Sequence, residues 1–255
     1  MIAGVPAKKA FEIYNRVIRL DPSEKEQLGQ AEWQLSGLVR KDRHDLAGLV
    51  ALLQVKLVLG KADEAHRLSS DVMAKRALLE GGVRETYWKQ LVSMARFSEA
   101  KKVASEHNIA HGREFLSYIA WYLGDVATVR ASLENGEAAD KEKWLRLLSS
   151  IRAENIEDLM PSHQDIITNV VSSKSVHTQL FCSSDGEGDF NAVQYYYVDV
   201  PFEVRFDMEM EIDRKVQELY KRHNHRASLG SLKVTPILLG SDAAASRISG
   251  STRSL

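Results

Sequence analysis

At 255 residues, with 44% hydrophobic and 27% charged positions, the chain has the composition expected of a soluble globular protein, long enough for one large domain or two modest ones. A formal charge of -1 supplies no global field for nucleic acid or an acidic membrane, and leaves room only for a local basic patch. The single cysteine, Cys182, excludes an internal disulfide and a multi-cysteine zinc site, and fits a reducing compartment.

The N-terminal residues lack the charged start and long apolar run of a secretory signal. No stretch approaches the roughly 18 apolar residues that a membrane span needs. The longest candidate, 46–59, is interrupted by Gln54 and Lys56. The expected setting is cytoplasmic, without membrane insertion.

From Lys8 to about residue 159 apolar positions recur at three- and four-residue spacing. Phe11, Tyr14, Val17 and Ile18 form one stripe, which predicts an amphipathic helix ended by Asp21-Pro22. Further helices are expected over 24–39, 45–59, 62–79, 83–94, 98–106, 113–123, 126–133 and 141–153. Gly60 suits a left-handed cap, Gly81-Gly82 is a poor helix former, and Gly124-Asp125 and Asn135-Gly136 read as turns. Short helices with short connections pair as antiparallel hairpins.

The residues from Ala10 to Pro22 resemble the second helix of a tetratricopeptide-type repeat. In that family a small residue is followed four positions later by an aromatic, then three further on by a small or aliphatic residue, with proline at the end. Ala10, Tyr14, Val17 and Pro22 occupy those places. The family also sets a turn glycine five positions before the small residue. Gly60 and Ala65 match that spacing, Ala95 and Ala100 repeat it without the glycine, and Gly124 and Val129 repeat it with Leu133 in the aromatic's place. Ser69 stands where the middle unit should carry its ring. Over about residues 1–155 the resemblance implies a helical-hairpin solenoid whose concave face holds peptides or partner proteins; an irregular helical bundle is the alternative.

A different texture begins near Met160-Pro161. Segments 165–171 and 176–182 are rich in β-branched residues and read as strands joined by a serine-rich turn, with a further strand over 190–200. In 202–212, Phe202, Val204, Phe206, Met208, Met210 and Ile212 alternate with charged residues, a period of two that predicts a half-buried strand. On that reading Phe206 points inward, and Phe206→Asp should unfold the module. Asp213 is expected to cap a helix over 213–223, and 232–239 to form a last strand with Pro236 at an edge or bulge. The expected organisation is α+β: an all-α region 1–160, a small antiparallel sandwich with one helix over 161–240, and a flexible tail 241–255.

Candidate chemistry is sparse. Asp185, Glu187 and Asp189 alternate oxygen ligands with glycines, but the remaining positions of a calcium loop are missing. Lys221, Arg222, His223, His225 and Arg226 form a basic segment that Arg247 and Arg253 on the tail could extend. It reads as the cationic end of a helix, with phosphate contact or a shared metal on the histidine pair as the sharper alternatives. Trp121-Tyr122 and Tyr195-Tyr196-Tyr197 are stacking candidates, with core packing the simpler account of the former; Cys182 reads as a strand-core thiol.

Phosphate-loop, dinucleotide, nucleophile-elbow and His-Glu-x-x-His motifs are all missing. The sequence therefore points to a non-enzymatic interaction protein without cofactor or metal: an adaptor, an assembly chaperone or a subunit of a larger assembly or homo-oligomer. Two alternatives stay open. One is a nucleic-acid-associated protein using 221–226 and the tail; the other is an enzyme with its site between the two domains.

Overall fold

The computed structural model describes residues 5–21, 23–107, 113–134, 141–184, 190–225 and 233–240. Nine helices precede residue 154 among these: α1 (Val5–Val17), α2 (Lys25–Lys41), α3 (Leu46–Val58), α4 (Ala62–Ala74), α5 (Gly81–Ser93), α6 (Phe97–His107), α7 (Arg113–Tyr122), α8 (Val126–Glu134) and α9 (Lys141–Ala153). Each falls on a segment whose stripe predicts it. Gly81-Gly82, expected to resist helix, instead supplies the first turn of α5.

Helix α3 is apolar on almost every side because α1, α2, α4 and α5 all pack against it. Asp45 caps its start by accepting the Gly48 amide at 3.0 Å. Its one cation, Lys56, is buried and bonds Glu32 of α2 and Glu64 of α4, while Lys61 holds both oxygens of Glu32 at 2.9 Å. Burial opposes the charge on Lys56, but the two glutamates more than offset it and hold the ammonium above the ordinary lysine range.

One turn recurs between paired helices. Gly60, Ala95, Gly124 and Asn155 all take positive φ, and the amide after each reaches back to the last turn of the preceding helix. The bonds are Lys61 to Lys56 at 2.9 Å, Arg96 to Leu91 at 2.9 Å, Asp125 to Ala120 at 2.8 Å and Ile156 to Ile151 at 3.2 Å. The residues expected at the small positions, Ala65, Ala100 and Val129, are buried. Within pairs α3 lies on α4, α5 on α6 and α7 on α8, and α3 meets α5, α6 meets α7 and α8 meets α9.

The C-terminal part corrects three expectations. Segment 165–171 is the end of a helix, α10 (Met160–Val171), entered through Pro161. Its buried residues Met160, His163, Gln164, Ile167 and Val171 recur at helical spacing, and β-branched content alone suggested a strand. Segment 202–212 is the first half of a second helix, α11 (Phe202–Arg222), which begins after Pro201. Its glutamates, methionines and arginine are strong helix formers, and Ile212, Val216 and Tyr220 set its buried face at four-residue intervals. The third correction is the sheet. Strands β1 (Ser175–Ser184) and β2 (Phe190–Val198) are antiparallel, but β3 (Val234–Gly240) runs parallel to β2, because the chain crosses over through α11. The sheet is mixed, and α5, α9 and α11 pack against it, where one helix on an antiparallel sheet was expected.

Tyrosines join sheet to helices. Tyr196 meets the edge of Tyr122 at 5.9 Å, Tyr122 stacks on Phe97 at 4.1 Å, and Tyr196 donates to Gln194, which in turn donates to Gln164 of α10. Tyr195 lies on the opposite face with Phe181, as alternation requires. Tyr197 is buried on that face and donates to Gln179. One apolar cluster runs from Leu49 through Trp121, Met160 and Tyr196 to Leu238, so packing crosses residue 160 without a gap. A smaller cluster under α1 and α2 shares α3 with it.

Candidate functional site

The basic segment lies at the C-terminal end of α11. Lys221 and Arg222 occupy its last turn, exposed, with Arg222 3.6 Å from Glu218. His223 closes the helix with its Nδ1 2.9 Å from the Leu219 carbonyl, Asn224 turns left-handed at φ 59°, and the His225 ring stands edge-on to Tyr220 at 6.4 Å. The arrangement is that of cations placed at the negative end of a helix, with the His223 ring beside one of its last carbonyls. The structure thus brings together four of the expected residues. Arg226, Arg247 and Arg253 lie outside the described residues, as do Asp185, Glu187 and Asp189 and the tail 241–255. Among the described residues no group of three or more His, Cys, Asp and Glu could hold a metal.

The N-terminal half of the same helix carries a feature that the strand reading conceals. Phe202, Phe206 and Met210 are 67%, 54% and 54% exposed and recur at four-residue spacing, forming one ridge along two turns. Val204 is exposed on the other side, and Arg205 lies over the Phe202 ring at 5.4 Å. No other helix among the described residues exposes as many large apolar side chains. Glu203, Asp207 and Glu211 make a second ridge one position over, parallel to the first. Lys215 pairs with Glu211 at 2.6 Å; Glu203 and Asp207 have no ion pair among the described residues. Reading 202–222 with a period near four, back from Tyr220, Val216 and Ile212, would have placed Phe206 and Met210 outside the buried face.

A cleft of about 420 Å³ opens where α4, the α5–α6 turn and the end of α10 meet, lined by His66, Arg96, Phe97, Glu99, Thr168 and Ser172 among others. Arg96 pairs with Glu99 at 2.6 Å. Arg96 Nη1, Glu99 Oε2, His66 Nε2 and Thr168 Oγ1 are buried without a hydrogen-bond partner. Burial, and after it the Arg96 charge, holds the His66 imidazole below the ordinary histidine range, so the ring is neutral near pH 7. No motif marks these residues, because three segments far apart in sequence supply them.

The stacking candidates are largely absorbed by packing: Trp121, Tyr122, Tyr196 and Tyr197 are buried, whereas Tyr195 is half-buried beside exposed Phe181. Cys182 is half-buried on β1. Among the described residues no helix is long and apolar enough to cross a membrane. The chain matches no family model, no curated protein and no solved structure.

Proposed function

We propose that this chain is a non-enzymatic protein-interaction protein, an adaptor, assembly chaperone or structural subunit, built on stacked helical hairpins of tetratricopeptide-like design and docking partners through the exposed half of α11. The exposed ridge Phe202, Phe206 and Met210 carries this reading. Three large apolar side chains in one line on a helix are costly to leave in water and are characteristic of interaction sites. The recurring turn at Gly60, Ala95, Gly124 and Asn155 supports the repeat design.

The test is isolation of the tagged full chain from its native source, beside a Phe202→Ser/Phe206→Ser variant. A stoichiometric protein partner should accompany the first and be absent from the second, with matching circular dichroism. Isolation of the chain alone in both cases would end the reading.

The cleft supports a second reading, a small polar ligand or substrate held between the helical region and α10. Four buried polar atoms without partners favour it, since such atoms normally find a hydrogen bond. A thermal-shift screen of small acids, amides and nucleosides would reveal such a ligand as stabilisation that Arg96→Ala removes.

A further inference from the structure

This inference rests on the reading of α11 as a docking surface and names what docks there. We propose that the occupant is a basic amphipathic segment of another protein, its apolar side chains covering Phe202, Phe206 and Met210 and its lysines or arginines facing Glu203 and Asp207.

The two ridges run side by side because both repeat every four residues on one helix. From Phe202 to Met210 they extend about 12 Å along the axis, enough to seat two turns of a partner helix. Between Phe202 and Asp213 the helix carries Glu203, Asp207, Glu209, Glu211 and Asp213 against the single cation Arg205. Arg205 leans over Phe202, and Glu209 is engaged by the Leu238 amide at 3.1 Å. The outward field beside the apolar ridge is therefore acidic, and a partner meets it best with positive charge along one edge of an apolar stripe.

The same charges disfavour a second copy of this chain. Two α11 ridges pressed together antiparallel would set Glu203, Asp207 and Glu211 against their own counterparts. Pressed together parallel, those acids would face the row of Arg205, Glu209 and Asp213, two acids to one cation. In both arrangements acids outnumber the one cation, Arg205, along the apolar seam. An anionic lipid surface is repelled for the same reason.

The experiment uses the full chain and two labelled synthetic peptides of leucine at helical spacing, one with lysine and one with glutamate at the flanking positions, read by fluorescence anisotropy. The lysine peptide should bind, with affinity that falls as salt rises, and the glutamate peptide should not. Glu203→Lys/Asp207→Lys should weaken the lysine peptide at least about tenfold while leaving the circular-dichroism spectrum intact. Phe202→Ser/Phe206→Ser should abolish binding. Equal binding of both peptides, or no loss in the charge-reversed variant, overturns the proposal. So does a sedimentation dimer that dissociates in the Phe→Ser variant, which would assign the ridge to a second copy. A native partner lost with Phe→Ser but kept with charge reversal would leave the docking reading standing and remove this inference. A native partner kept by both variants would remove the docking reading itself.

Discussion

Gly124 shows how a single missing atom joins distant parts of the chain. It takes φ +68° between α7 and α8, and a Cβ there would lie 2.3 Å from the Pro161 nitrogen and 2.5 Å from the Met160 carbonyl oxygen. Both neighbours are backbone at the start of α10, so nothing can swing aside. Ala95 takes a similar conformation at φ 55° with a side chain, so the left-handed turn alone is tolerable; the close approach is what excludes a methyl group. Gly124→Ala should therefore destabilise by at least about 2 kcal/mol, the left-handed penalty plus displacement of α10. Urea unfolding of the purified variant checks this, and a change below about 0.5 kcal/mol would mean that α7–α8 and α10 are not in backbone contact.

At the scale of elements, α11 is where the pattern of residues misleads. Alternation of apolar and charged positions satisfies a strand template over 202–212, yet the same residues carry high helix propensity and continue into the helical spacing of Ile212, Val216 and Tyr220. Asp207→Ala separates the two structures by sign. Aspartate is a poor helix residue and alanine the best, so at this exposed site the change should stabilise by about 0.5 kcal/mol. Alanine is a poor strand residue, so in a strand it would bring no such gain. A rise in thermal midpoint, measured with the full chain, is the expected outcome. Phe206→Asp, which the strand reading would make unfolding, should leave stability nearly unchanged because the ring is already half in water.

The helices before residue 154 were legible because stripes and their interruptions agree: Gly60 and Gly124 end helices by taking left-handed turns. The turn at Ala95 has no such residue and was placed only by spacing from Gly60. Strands β1, β2 and β3 were legible from short runs of β-branched or aromatic residues. The direction of β3 was not, since it depends on whether 202–212 crosses over as helix or returns as strand. The end of α11 at Lys221 and Arg222 was legible from the cationic run that closes its stripe. The cleft was invisible, because His66, Arg96 and Thr168 meet through tertiary packing alone.

The larger apolar cluster runs through most of the described molecule, and two histidines packed in it couple stability to pH. His163 of α10 lies 3.1 Å from the Tyr220 hydroxyl and is pushed down to about 4 by burial. His177 of β1 packs against Tyr197 at 5.4 Å and is likewise pushed down to about 4 by burial. Both rings thus stay neutral in the fold until about pH 4, whereas in the unfolded chain they gain a proton below about 6.5. Between those values the unfolded state binds more protons, so stability is complete above about pH 6.5 and declines as pH falls toward 4. Glu32, Asp63 and Asp125, whose carboxyls are held below their ordinary values, act lower still, which leaves pH 5 to 7 as the histidine window. Each ring should account for about 2 kcal/mol of loss between pH 7 and pH 5, on the order of its shift converted at 1.36 kcal/mol per unit. Urea unfolding of the full chain at both pH values measures that loss, and His163→Gln should shrink it by about 2 kcal/mol. Because the cluster is continuous from Leu49 to Leu238, the loss should appear in one transition, seen together by tryptophan fluorescence and far-ultraviolet circular dichroism. A His163→Gln variant with an undiminished pH dependence would mean that solvent reaches the ring and that α10 and α11 do not close over it.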